Sequence, residues 1–132
     1  MPSRQTVLLV EDDPDLLRFA QVTLRLAGYR VITATDGEQA LAAARKTRPT
    51  LMVLDLRLPV LDGWQVLDVM AEDPVLSRIR VLVVTATVAG MGAPRALGGA
   101  VVGYLVKPVS ADTLVAAVQR ATAGIADTAS SG

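Results

Sequence analysis

Val7-Leu-Leu-Val-Glu-Asp-Asp-Pro14 decides the fold: four apolar residues, then three acids, then a proline. So short an apolar run reads as a strand buried on both faces rather than as a helix. Asp13 before Pro14 is a helix start, because its carboxylate can accept the first orphan N–H groups and proline at the first helical position gives up no donor the helix uses. Leu17, Ala20, Leu24 and Ala27 then recur at helical spacing, with Gly28 as the stop. The same unit repeats along the chain. Tyr29 to Ala34 reads as a second strand, and Thr35-Asp-Gly-Glu38 as a capping box opening a helix to about Thr47. Leu51–Leu54 is a third strand, followed by a helix from Trp64 to Glu72, then Val81–Val84 as a fourth strand and Gly103–Val106 as a fifth. Ser110-Ala-Asp-Thr opens a last helix to about Ala123. Strands that are apolar throughout and alternate with helices predict a doubly wound α/β sheet, parallel and covered on both faces. The expected layout is one domain over residues 1–124 and a flexible tail over 125–132. A fourth helix belongs in residues 88–100, where Gly90, Gly92, Pro94, Gly98 and Gly99 oppose it, at about 1 kcal/mol per interior glycine and about 3 for proline.

Composition narrows the function. A chain of 132 residues with 52% apolar content can bury one real core. Thirteen Lys and Arg balance thirteen Asp and Glu, so no net field is expected to draw the chain to nucleic acid or a membrane. The absence of cysteine and histidine removes disulfides, thiolate metal sites, catalytic triads and a histidine phosphocarrier. No secretory pattern opens the chain, and the weakly charged stretch 81–106, with Arg95 alone, is broken by glycines and Pro94. A soluble, cytoplasmic protein is expected.

In open parallel sheets ligands bind beyond the carboxyl ends of the strands. There the first strand delivers Glu11, Asp12 and Asp13, the third Asp55, the fourth Thr85 and the fifth Lys107. Each has an ordinary explanation: Asp13 as a helix cap, Asp55 as a loop acid, Thr85 as a strand threonine, Lys107 as a solvated rim lysine. Glu11 and Asp12 are left over by capping. Acids brought together repel unless a cation neutralises them, and one lysine is too little. Oxygen ligands without histidine or cysteine select a hard cation, so Mg2+ is the expected cofactor. A carboxylate beside such an ion, with a lysine and a hydroxyl nearby, suits phosphoryl transfer onto the carboxylate itself. No phosphate-binding Gly-x4-Gly-Lys-Ser/Thr loop occurs, so nucleotide binding has no support.

These residues resemble the receiver domains of bacterial two-component response regulators, the chemotaxis regulators among them. The motifs are Val7-Leu-Leu-Val-Glu-Asp-Asp13, Leu54-Asp-Leu-Arg-Leu-Pro-Val-Leu-Asp-Gly63, Val83-Val-Thr-Ala86 and Tyr104-Leu-Val-Lys-Pro108, and they cover about residues 5–123. The gaps match as well: 43 residues from Asp12 to Asp55, 30 to Thr85 and 22 more to Lys107. The resemblance implies a flavodoxin-like strand order 2-1-3-4-5 and a phosphoacceptor at Asp55. It implies Mg2+ held by Asp12, by Glu11 through water, by Asp55 and by the Arg57 backbone carbonyl. Thr85 and Lys107 are then the phosphate-binding pair, Thr85 and Tyr104 the switch pair, and Lys107-Pro108 a cis peptide. Arg57 and Thr87 lie where the family tunes dephosphorylation. The implied partners are a sensor histidine kinase or a histidine phosphotransfer protein, with a second copy or a protein target on residues 88–124. Tyr104 is expected to be a partly buried edge-strand aromatic, and Trp64 to pack near the acidic rim with no role assigned. Two departures stand out: the glycine-broken segment 88–100, and the family's small Gly-Ala pair displaced to Ala100-Val101.

A signalling module, not an enzyme, is therefore the expectation. An aspartyl-phosphate phosphatase of the haloacid-dehalogenase type would need an acid at position 57, where Arg57 stands. A pseudo-receiver that binds partners without phosphorylation is the alternative.

Overall fold

The structure, a computed structural model, describes residues 4–86 and 100–124. Five strands, β1 (Thr6–Val10), β2 (Arg30–Ala34), β3 (Leu51–Leu54), β4 (Arg80–Thr85) and β5 (Val101–Val106), form one parallel sheet in the order β2-β1-β3-β4-β5. The helices among the described residues are α1 (Pro14–Leu26), α2 (Gly37–Thr47), α3 (Gly63–Glu72) and α4 (Ala111–Thr122), with a 3-10 turn at Leu76–Arg78. This is the doubly wound sheet expected from the strand and helix alternation, in the flavodoxin-like order that the resemblance implies. The central strands are buried on both faces because each face supports its own core. Leu8, Val10, Met52, Leu54, Val81 and Val83 face α2 and α3. Val7, Leu9, Leu51, Val53 and Leu82 face the opposite way, toward Leu24 of α1 and Leu114 and Val118 of α4. Such close-packed strands hold their carboxyl ends in fixed register, Val10 beside both Ala34 and Leu54.

Several boundaries differ from the sequence reading. β4 begins at Arg80 and β5 at Val101, earlier than the apolar runs at 81 and 103, because ladder pairing recruits flanking residues whatever their polarity. The α2 cap is Asp36, not Thr35: its carboxylate accepts the Gln39 N–H at 2.8 Å, while the Gln39 side chain reaches back to the N–H and hydroxyl of Thr35. Glu38 takes no part in a capping box. The reciprocal box occurs instead at α3, between Asp62 and Gln65, and starts that helix at Gly63. Asp13 caps α1 as expected, accepting from Asp15 and Leu16, and Gly28 takes the left-handed conformation (φ +102°) that ends it. The expected fourth-helix segment 88–100 and Thr87, like the tail 125–132, lie outside the described residues, apart from Ala100.

The even charge balance also conceals an uneven distribution. Every strand runs the same way and every helix returns, so helix first turns share an end with strand carboxyl ends. Among the described residues, nine acids, at positions 11, 12, 13, 15, 36, 38, 55, 62 and 112, stand at that end against Arg57 and Lys107. Nine described bases, at positions 4, 25, 30, 45, 46, 48, 78, 80 and 120, stand at the other against Glu72 and Asp73. Acidic first turns and basic last turns suit the helix dipole, but Arg30, Arg78 and Arg80 belong to no α-helix. The expectation of no field is corrected: the net charge is zero, and the two ends carry opposite fields.

Candidate functional site

The acidic rim is built by backbone bonds that continue the sheet past its last ladder residues. The Glu11 N–H donates to Ala34 at 3.1 Å and the Asp55 N–H to Val10 at 3.1 Å, so both carboxylates spring from fixed backbone. The Lys107 N–H donates to the Thr85 carbonyl at 2.8 Å, which brings the fifth strand's lysine alongside the fourth strand's threonine. The Lys107-Pro108 peptide is cis, as the resemblance implies.

Lys107 is the hub. Its ammonium donates to Glu11 Oε1 at 2.5 Å and to Asp55 Oδ2 at 2.8 Å. Asp55 is only 5% exposed, and its second oxygen accepts the Arg57 N–H at 3.0 Å. Glu11 also accepts the Asp13 N–H at 3.1 Å, so it does take part in the turn into α1, contrary to the sequence reading that left it unused there. Asp12 is exposed. Carboxylate oxygens of Glu11, Asp12 and Asp55 nonetheless lie within 4.8 Å of one another.

Three carboxylates against one ammonium leave an unneutralised excess of negative charge. Burial raises the Glu11 pKa above its usual 4.5, against the pull of the Lys107 hydrogen bond, and the nearby Asp55 charge adds to the rise. Burial pushes Lys107 down, but its hydrogen bonds to Asp55 and Glu11 together outweigh that and hold its pKa above the usual 10.5. Across the rim, Thr85 is completely buried and its Oγ1 has no hydrogen-bond partner among the described residues. An orphaned buried hydroxyl carries a desolvation cost. It is therefore a donor held ready for an oxygen that arrives with a ligand. The donor set fits a hard divalent cation: closely spaced carboxylates, no sulfur, no imidazole.

The residues that the sequence reading set at the strand ends, Glu11, Asp12, Asp55, Thr85 and Lys107, meet at one rim. Arg57 stands beside them, exposed, in a groove of about 490 Å3 that it shares with Asp12, Trp64 and Thr85. Trp64 does pack near the rim. Tyr104 does not match its expected burial: it is 48% exposed on the edge strand, with Val102 and Val106 exposed beside it. Two residues were missed. A Cβ on Gly63 would stand 2.6 Å from the Asp55 carbonyl oxygen, and one on Gly37 would stand 2.0 Å from that of Leu61. Both helices start on Asp-Gly, and that repeated pair was the available signal: aspartate for the cap, glycine for the close approach to the Asp55–Leu61 loop.

A five-stranded parallel sheet that gathers three carboxylates and one lysine at its carboxyl ends defines a class of α/β regulatory domain. The response regulator receiver domain family matches residues 7–119, and the chain belongs to it. The transcriptional regulatory protein PrrA of Mycobacterium tuberculosis is 40% identical over 113 residues, 86% of this chain and 48% of that protein. The DNA-binding response regulator MtrA of Mycolicibacterium smegmatis is 35% identical over 116 residues, 88% of this chain and 50% of that protein. The chain thus spans about half the length of these curated relatives. Among solved structures, the chemotaxis response regulator CheY4 of Vibrio cholerae superposes with a TM-score of 0.81 at 30% identity, covering 90% of this chain and 99% of that one. The receiver domain of the sensor histidine kinase PA1611 from Pseudomonas aeruginosa, with a magnesium ion in its active-site cleft, superposes at 0.80 with 33% identity, covering 91% and 98%. Among the described residues no helix is long and apolar enough to cross a membrane.

Proposed function

We propose that this receiver domain is a phosphoacceptor switch, phosphorylated on Asp55 by a phosphohistidine on a sensor kinase or phosphotransfer protein. The observation that carries the reading is the pairing of a lysine-anchored, buried Asp55 with an orphaned Thr85 hydroxyl across one rim. An Asp55 oxygen attacks phosphorus, the P–N bond breaks, and the donor imidazole leaves with the electron pair. Lys107 is placed to neutralise charge on the phosphoryl oxygens, and Thr85 Oγ1 donates to one of them. Glu11, Asp12, Asp55 and the Arg57 carbonyl would hold Mg2+, which neutralises the acid cluster and draws charge from the phosphoryl oxygens. The magnesium in the PA1611 cleft supports that cofactor.

Donor docking has support beside the rim. Leu16, Phe19 and Val22 form an exposed apolar stripe on α1. A pocket of about 320 Å3, lined by Leu16, Phe19, Pro108 and Val109, joins that stripe to Glu11, Asp55 and Lys107. On the other side, movement of Thr85 toward the phosphoryl group is proposed to let Tyr104 turn inward and remodel the β5 edge. That edge, with its exposed Val102, Tyr104 and Val106, would then meet a second copy or a protein target.

Intact mass spectrometry with Mg2+ and acetyl phosphate tests the reading. Wild type should gain one acid-stable, base-labile phosphoryl group and Asp55→Asn none. Equal labelling of the two proteins overturns the assignment to Asp55, and a wild type that never labels leaves the pseudo-receiver reading in its place.

A further inference from the structure

The end of the sheet remote from Asp55 contains a groove that the phosphoacceptor reading does not use. About 680 Å3 in volume, it is lined by Arg48, Arg78 and Arg80, with buried Pro49 and Ile79 between them and exposed Pro74 and Val75 at its edge. Its lining contains no acid. Among the described residues both ion pairs belong to Lys107 at the other end, so none of the three guanidiniums is paired with a carboxylate. Arg80 alone is engaged, donating from Nη1 to the Ala121 carbonyl at 3.2 Å. Arg48 and Arg78 are exposed. Helix-dipole complementarity does not explain the set, since Arg78 and Arg80 lie on the 3-10 turn and the strand that follows it.

We infer that this groove is a docking site for an acidic, leucine-bearing peptide segment of a protein partner. Charge complementarity names the occupant: three guanidinium forks with no carboxylate partner among the described residues, set in an end of the molecule where those residues carry nine bases and two acids. Guanidinium pairs carboxylate in bidentate geometry. Between the arginines the lining is apolar, and that decides between polyanions. A duplex backbone offers phosphates and no apolar side chains. A single strand would need aromatic stacking platforms, and the groove lining has none. An extended peptide alternating carboxylates with leucines matches both the guanidiniums and the apolar residues between them. The interaction is to be read near physiological ionic strength, where the Debye length is about 8 Å and only charges in close contact attract strongly.

Fluorescence anisotropy of a short, labelled peptide of glutamate pairs separated by leucines tests the site, with a random-sequence DNA duplex and phosphatidylserine vesicles as the competing polyanions. The full chain should bind the peptide more tightly than either competitor. Arg48→Asn with Arg78→Glu should weaken that binding roughly tenfold, the equivalent of about 1.4 kcal/mol. Asparagine is chosen because Arg48 sits at φ +48°, a conformation it tolerates. The variant's fold is checked by an unchanged acetyl phosphate labelling of Asp55. Equal peptide affinity in wild type and variant overturns the inference. So does tighter binding of the duplex or the vesicles that the same substitutions abolish, which would make the groove a phosphate-backbone or lipid-headgroup site instead.

Discussion

The two ends of this parallel sheet carry equal and opposite charge and handle it in opposite ways. At the carboxyl end the strands stop in register, and their next residues converge, so Glu11, Asp55 and Lys107 become half-buried or buried partners of one another. At the amino end Arg48 and Arg78 stay exposed, with no carboxylate partner among the described residues. Convergence turns charge into a site with shifted pKa values and an unmet hydrogen bond; exposed charge is left for an external partner. Charge number alone does not make chemistry. Proximity in a partly desolvated setting does.

The sharpest way to break the contrast is to remove one cation from each end. Lys107→Ala should slow labelling by acetyl phosphate about 100-fold, the usual cost of one preorganised donor at a developing charge. Arg78→Ala should leave that rate within about twofold, because Arg78 stands at the end of the sheet remote from Asp55. Comparable losses at both ends would mean that the field as a whole, not the local constellation, drives the reaction.

Next in size is the backbone under the rim. Gly63→Ala places a Cβ against the Asp55 carbonyl and the Leu56 Cα. The expected loss is about 2 kcal/mol in urea unfolding, within the usual range for overpacking. Gly124→Ala has nothing within 4 Å of the added carbon, but its φ of +81° makes any cost one of backbone strain alone. A larger loss at Gly124 than at Gly63 would deny that the phosphoacceptor loop is packed under constraint.

Asp12→Ala should then raise the stability of the metal-free protein by about 1 kcal/mol, because an exposed acid contributes only a screened repulsion to Glu11 and Asp55. The same change should abolish Mg2+ binding. Thermal melts with and without Mg2+ read both effects, and an unchanged or lowered metal-free melting temperature would contradict the crowding of the acids.

The smallest expected effect lies at the basic end. Hydrogen bonds from the Leu76 and Val75 N–H groups hold the Asp73 carboxyl below its usual 3.8. A depressed carboxyl contributes stability above the unfolded pKa and loses it as pH falls through the folded one. Asp73→Ala should therefore destabilise the protein near neutral pH, and the difference from wild type should shrink in acid below 3.8. A difference independent of pH would place the effect on packing rather than on the carboxylate.

Much of the fold was legible because its signals are local. Val7–Val10 and Leu51–Leu54 read as buried strands without alternation, and Asp13-Pro14 and Gly28 mark the ends of α1. What failed was of two kinds. The α2 cap slid by one residue because Thr35-x-x-Glu38 and Asp36-x-x-Gln39 are both acceptable capping pairs; the structure takes the second, with Gly37 close against Leu61. Burial on the edge strand failed because alternation cannot show which face a neighbour covers, so Tyr104 was expected to be more enclosed than it is.

Sequence by itself determined the class of fold, the residues offered at the strand ends and, through four motifs at fixed spacing, the family. Those properties follow from periodicity and from residue chemistry, which each stretch of chain carries within itself. Only the tertiary structure decided that Lys107 reaches across 96 residues to Glu11 and 52 to Asp55, that Thr85 Oγ1 is left without a partner among the described residues, and that a chain of zero net charge has an acidic end and a basic one. A distance between side chains on different strands, and the sum of a field over them, depend on which strands lie side by side and which way they run.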